Sequence, residues 1–85
     1  MKKKDSALAA VAADALGKTA NPRAVLVLIE EAAASDPAVR LAVARSLSRL
    51  GGSRAVAALK KQRSDPDASV RSAAVNGLAD LGEIE

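Results

Sequence analysis

Apolar residues recur at steps of three and four along most of the chain, as they do on one face of an α-helix. The clearest set is Val39, Ala42, Val43, Leu47 and Leu50, and at a shift of 31 it returns as Val70, Ala73, Ala74, Leu78 and Leu81. Arg23-Ala24-Val25 and Leu28 return at the same shift as Arg54-Ala55-Val56 and Leu59. A period of this length with two helices per unit indicates a solenoid of helical hairpins.

Turn residues divide this pattern into five helices. Asx-Pro pairs at 21–22, 36–37 and 65–66 predict helix starts, because Asn and Asp cap free amides and proline suits the first helical position. Glycines at 17, 51, 52 and 82 predict helix ends. We therefore predict helices over about residues 5–16, 22–34, 37–50, 53–63 and 66–81, with connections short enough for antiparallel neighbours.

These helices predict one domain over residues 1–85, an all-α right-handed solenoid of about two and a half hairpins. A cap helix and its partner occupy 1–34, a full repeat 35–64 and a half repeat 65–85. The first helix is the weakest copy and aligns with the third at a shift of 34, which pairs Leu16 with Leu50. The run 25–29 is also consistent with a buried strand, but its helical flanks and the lack of a second strand favour a helix.

One glycine stands inside the last predicted helix. Gly77 costs about 1 kcal/mol relative to alanine in a helix interior. Its equivalent in the preceding copy is Ser46, so both copies keep this place small. The pattern predicts that another helix approaches closely there.

Composition excludes most chemistry. The chain has 21 alanines among 85 residues and no Cys, His, Phe, Trp or Tyr, so it cannot build a disulfide, a zinc cluster, a histidine base or an aromatic stacking platform. The serine hydroxyls have no histidine to activate them, and Lys18 lies in a turn. We expect no catalytic, cofactor or metal site and no small-molecule substrate. No apolar run is long enough to span a membrane, and we expect a soluble cytoplasmic protein.

Two segments carry a family resemblance. DPAVRLAVARSLSRLG (36–51) and DPDASVRSAAVNGLADLG (65–82) resemble HEAT-like repeats of the short bacterial kind named after phycobilisome lyases. The resemblance implies a scaffold whose second helices line a concave face, and a ladder of Asp36, Arg40, Asp65 and Arg71 along the stack. Two extra residues before Val70 make Asp67 a competitor of Asp65. Lyase catalysis lacks the pocket side chains it would need.

Surface residues predict a protein-binding role, through the concave face and through apolar edges. The expected edges are Leu26, Val27 and Ile29 at one end, and Val70, Ala74, Leu78 and Leu81 at the other. Glu30 and Lys61 are expected to be neighbours of opposite charge. The candidate partner-binding residues are Arg23, Val27, Glu30, Glu31, Arg54, Lys61 and Arg63. The occupant is either a protein partner or a second copy of the chain.

Two alternatives remain open. Residues 40–63 carry seven cations and no acid, which favours a nucleic-acid-binding module if those charges share one face. The chain is also consistent with a structural fragment of a longer array.

Overall fold

Five α-helices make up the described part of the chain. The computed structural model describes residues 2–19, 21 and 23–83. The helices are α1 (Lys2–Gly17), α2 (Arg23–Glu31), α3 (Pro37–Leu50), α4 (Ser53–Gln62) and α5 (Ala68–Asp80). This confirms the all-α, solenoid-like fold. The predicted helix start at Pro22 lies outside the described residues, but Asn21 caps α2 by accepting a hydrogen bond from the amide of Arg23 at 2.9 Å.

The helices form two layers. Helices α1, α3 and α5 lie side by side, and α2 and α4 pack against them. Helix α3 contacts all four of the others, whereas α1 and α5 do not touch within the described residues. The chain therefore alternates between a layer of first helices and a layer of second helices.

Helix α5 begins two residues later than predicted. Its N-cap is Asp67, whose Oδ1 accepts hydrogen bonds from two first-turn amides at 2.8 and 3.3 Å. At the shift of 31, Asp67 is the equivalent of Asp36, which caps α3, and Pro37 occupies the first turn of α3 as predicted. The prediction that Asp65 caps α5 is wrong because its carboxylate binds Arg40 instead.

Both boundaries of α3 and the start of α4 fall where predicted, and the other described boundaries differ by one to three residues. Helix α1 starts three residues before the predicted start, and α4 and α5 each end one residue early. Helix α2 ends at Glu31 rather than 34. The amide of Ala34 bonds to the Glu31 carbonyl at 3.0 Å, so the chain tightens into a three-residue turn before Asp36 starts the next helix.

The core confirms the repeat. Leu28 and its equivalent Leu59 are both completely buried, and Val39 and its equivalent Val70 are 2% and 0% exposed. The two members of each pair therefore occupy the same kind of buried environment in successive repeats. Leu47 of α3 is also completely buried among them.

The first helices approach so closely that each contact admits only small residues. At the first junction Gly17 of α1 faces Ser46 of α3, and at the second junction Ser48 of α3 faces Gly77 of α5. A Cβ on Gly17 would lie 2.7 Å from the Ser46 Cα, and one on Gly77 would lie 3.0 Å from the Ser48 Cβ. The close approach predicted at Gly77 is confirmed.

The junctions also correct the alignment of α1. Gly17 corresponds to Ser48, and Ser46 corresponds to Gly77, so α1 aligns with α3 at a shift of 31 rather than 34. Gly17 ends α1 without a left-handed φ, because packing rather than backbone conformation requires the glycine. Left-handed φ values at helix ends are found at Gly51 (68°) and at Gly82 (81°).

The apolar edges differ in part from the expected ones. Leu26 and Val27 are 48% and 45% exposed as predicted, but Ile29 packs against the core. On α5 the predicted edge is wrong, because α3 and α4 cover Val70, Ala74 and Leu78 and leave Leu81 only partly exposed. The large apolar side chain that α5 exposes is Val75.

Candidate binding groove

A groove of about 490 Å³ runs between the two second helices. Its short walls are alanines, Ala32 and Ala33 after α2 and Ala57 and Ala58 on α4. The full lining is Ile29, Ala32, Ala33, Arg54, Ala57, Ala58, Lys61, Gln62 and Asp65. We call this feature the α2–α4 groove. Alanine side chains leave a gap between the helices because they extend only one carbon from the backbone.

Two cations border this apolar floor. Arg54 and Lys61 are both exposed and lie two helical turns apart, on one face of α4. The acid in the lining, Asp65, is already bound to Arg40. The groove therefore combines an apolar surface with positive charge that is available to a ligand.

Gln62, one of the residues that line the groove, has a buried acceptor. Gln62 is 5% exposed, and its Nε2 donates to the Arg40 carbonyl at 3.1 Å. Its Oε1 is buried and accepts no hydrogen bond from the described residues. An unsatisfied buried acceptor costs about 1–3 kcal/mol, and because this oxygen is closed off from solvent, a ligand in the groove does not reach it.

Sequence reasoning did not single out Gln62. The available signal was a polar residue at an apolar position, since Gln62 follows the buried residues Ala55 and Leu59 at helical spacing.

An ion pair holds the loop beside the groove in place. Arg40 and Asp65 form a bidentate pair, with Nε to Oδ2 at 2.8 Å and Nη2 to Oδ1 at 3.1 Å. The two side chains are only 14% and 8% exposed. The hydrogen bond from Arg40 lowers the pKa of Asp65, although burial opposes that shift, and the amide of Asp67 adds to the lowering. The same bond raises the pKa of Arg40.

This pair matches two members of the ladder that the resemblance implies. Asp36 is instead the N-cap of α3, and Arg71 bonds to backbone carbonyls of the loop before its own helix. In this loop the ladder therefore consists of Arg40 and Asp65.

The predicted partner-binding residues fall on three surfaces. Arg54 and Lys61 line the α2–α4 groove, and Arg63 lines a separate depression against α5. Arg23, Val27 and Glu30 are equivalent to Arg54, Ala58 and Lys61, which α4 turns toward α2, so they lie on the side of α2 that faces away from α4. Glu31, half-buried, does not line the groove.

Glu30 and Lys61 do not form an ion pair within 4 Å in the described residues. They occupy equivalent positions on successive helices, so both side chains project in the same direction instead of toward each other.

The basic band of residues 40–63 is divided among several faces. Arg40 is paired with Asp65, Arg45 with Asp14 at 3.3 Å and Lys60 with Glu83 at 3.9 Å. Of the other cations, Arg49 lies between α3 and α5, Arg54 and Lys61 lie at the α2–α4 groove, and Arg63 lies against α5. The seven cations therefore do not form one continuous basic surface.

The family model described as HEAT repeats matches residues 1–83 of the chain. Comparison with curated proteins gives no match. None of the helices in the described ranges is long and apolar enough to cross a membrane. The match covers nearly the whole chain and agrees with the two layers of paired helices, so the chain belongs to the HEAT repeat family.

Proposed function

We propose that this chain is a non-enzymatic interaction scaffold that binds a segment of a partner protein in the α2–α4 groove. HEAT repeats generally mediate protein–protein interaction. The observation that supports this site is the combination in one groove of an apolar, alanine-rich lining and two exposed cations.

The lining indicates the chemistry of the segment. A floor of alanines and Ile29 suits an aliphatic side chain, whose burial would contribute about 1.5–3 kcal/mol. Arg54 and Lys61 suit a carboxylate on the same segment. We therefore propose a segment with an acidic residue close to an aliphatic one.

A random-peptide display library selected on the whole chain tests this proposal. Enriched peptides are expected to pair an acidic with an aliphatic residue. Ala57→Leu, which fills the groove, and Arg54→Glu, which reverses its charge, are each expected to weaken those peptides at least about tenfold. The matched control is Leu26→Ala, because Leu26 occupies the position equivalent to Ala57 on the outer side of α2. This control is expected to leave affinity within about twofold.

Several results would contradict the proposal. One is a selection that returns no peptide above background, and another is a set of peptides that bind both groove variants as tightly as the parent. Loss of binding in Leu26→Ala but not in the groove variants would move the site to the edge with Arg23, Val27 and Glu30. Retention on DNA that falls steeply with salt would favour the nucleic-acid alternative.

A further inference from the structure

Two arginines hold equivalent positions near the starts of α3 and α5, and each binds the loop that precedes its helix. Nη1 of Arg40 donates to the two carbonyls of residues 34–35 at 2.9 and 3.0 Å. Nη1 of Arg71 donates to the two carbonyls of residues 65–66 at 2.8 and 3.0 Å. Donors and acceptors are both related by the shift of 31, so the two guanidinium groups are fixed in the same way by their own loops.

The outer edges of these guanidinium groups differ. The Nε and Nη2 of Arg40 hold both carboxylate oxygens of Asp65, at 2.8 and 3.1 Å. The Nε and Nη2 of Arg71 donate to no atom of the described residues, and no described carboxylate lies within 4 Å of Arg71. Arg71 is consequently exposed where Arg40 is mostly buried.

The first unit of the chain lacks the pair altogether. The position equivalent to Arg40 is Ala9, and the position equivalent to Asp65 is Ala34. Neither member of the pair is therefore present in the first unit. At Arg71 the arginine is present and already oriented, and no described carboxylate lies at its outer edge.

We infer that the guanidinium edge of Arg71 is a preformed receptor for the side-chain carboxylate of a partner protein. The site lies in a depression of about 390 Å³ on α5 that is separate from the α2–α4 groove. Arg63 adds a second positive charge to its lining, and Val75, 51% exposed, adds an apolar surface. No acidic residue lines it among the described residues.

The residues that line the depression indicate which chemical groups it would bind. A carboxylate that binds Arg71 as Asp65 binds Arg40 forms two charge-assisted hydrogen bonds with an acceptor geometry that matches the guanidinium fork. An aliphatic side chain next to that acid covers Val75. The occupant is therefore an Asp or Glu side chain beside an aliphatic residue on the surface of another protein.

Arginine side-chain NMR of the whole chain tests this site directly. The Nε–H signals are titrated with N-acetyl-aspartyl-leucine amide, with the matched N-acetyl-asparaginyl-leucine amide, and with inorganic phosphate. The aspartyl probe is expected to saturate the Arg71 signal at a concentration at least about fivefold lower than that for Arg49, an exposed arginine without the two loop bonds. The asparaginyl probe is expected to leave the Arg71 signal unchanged.

Three variants separate this site from general attraction to positive charge. Arg71→Lys keeps the charge but loses the fork, and it is expected to weaken binding of the aspartyl probe about fivefold, as seen in the backbone amide shifts of α5. Arg49→Lys is expected to leave those shifts unchanged. Val75→Ala is expected to weaken the probe while leaving the Arg71 hydrogen bonds to its loop in place.

Three outcomes would overturn the inference. The first is saturation of the Arg71 and Arg49 signals at the same concentration, and the second is an asparaginyl probe that binds as tightly as the aspartyl probe. Tighter binding of phosphate than of the aspartyl probe would assign the site to a different ligand. Each outcome is independent of peptide binding in the α2–α4 groove.

Discussion

Adding a side chain at Gly77 should destabilise the domain. Removing the Ser48 side chain, which the new side chain would contact, should restore the lost stability. In Gly77→Ser the new Cβ would lie 3.0 Å from the Ser48 Cβ and closer still to the Ser48 Oγ. Overpacking of this kind costs about 1–3 kcal/mol, whereas replacing glycine by serine in a helix gains only about 0.5 kcal/mol. We therefore expect Gly77→Ser to lower the free energy of unfolding by about 1–2 kcal/mol.

The double variant Gly77→Ser, Ser48→Gly gives the second junction the residues of the first. At the first junction the hydroxyl of Ser46 donates to the Ala13 carbonyl at 2.6 Å. At the second junction the equivalent carbonyl, Ala44, accepts from Ser48 on its own helix at 2.8 Å. In the double variant the hydroxyl at position 77 is placed to bond Ala44 as Ser46 bonds Ala13. The double variant should lie within about 1 kcal/mol of the parent, with a coupling energy of about 1–2 kcal/mol.

Urea denaturation followed by circular dichroism at about 222 nm measures these differences on the parent, both single variants and the double variant. For a domain of this size, each 1 kcal/mol corresponds to a shift of about 4–8 °C in Tm, so thermal melting is an independent check. Ser48→Gly alone should lose about 0.5–1 kcal/mol through helix propensity and its hydrogen bond. A double variant whose loss equals the sum of the single losses would refute the contact between α3 and α5 as the reason for Gly77.

Three further predictions concern the core and the ion pair. Leu28→Ala and Leu59→Ala should each lower the free energy of unfolding by about 2–5 kcal/mol, whereas Leu26→Ala, at a half-exposed position, should lower it by less than about 1 kcal/mol. If thermal melting shows the same decrease in Tm for all three variants, the core assignment is wrong. Asp65→Asn should lower the free energy of unfolding, measured by urea denaturation, by about 2–3 kcal/mol. This lies between the cost of about 0–1 kcal/mol for breaking an exposed ion pair and about 3–5 kcal/mol for a buried one. A loss below about 1 kcal/mol would mean that solvent screens the pair with Arg40. The pKa of Asp65 in the folded chain lies below its unfolded value of about 3.9, so the carboxylate stabilises the fold fully above that pH and loses this effect as pH falls through the folded pKa. The difference in free energy of unfolding between the parent and Asp65→Asn should therefore shrink below about pH 4. A constant difference down to about pH 2 would contradict the lowered pKa.

The 31-residue repeat predicts the helix starts better than the Asp-Pro pairs do. Two Asp-Pro pairs look alike, yet only Asp36 caps a helix in the way the pair suggests. The shift of 31 assigns Asp67 as the equivalent of Asp36, and Asp67 is the N-cap of α5. A local motif cannot show that Asp65 has a stronger partner in Arg40, because that partner is distant in sequence.

Features that depend on two helices at once were beyond a single sequence. Gly17 follows a leucine as a helix-ending glycine does, and only the position of Ser46 shows that packing requires it. The apolar face of α5 is an exposed edge in the sequence-based prediction, but α3 and α4 cover Leu78 and its neighbours. The groove depends on the distance between α2 and α4, and a pattern of residues in the sequence does not predict that distance. Gln62 is a polar residue at an apolar position of α4, which is the signal that the sequence carries for its burial.

The distribution of small and large side chains gives a physical reason to regard the α2–α4 groove as a binding surface. Leu26 and Val27 are equivalent to Ala57 and Ala58 in the repeat. The two large residues are about half exposed at the edge of α2, where they add little to the core. The two alanines lie where larger side chains would fill the gap between helices and gain burial of about 0.8 kcal/mol for each added CH₂. The chain thus leaves stabilising burial unused in the groove, which is the expected arrangement if another molecule supplies the missing side chains.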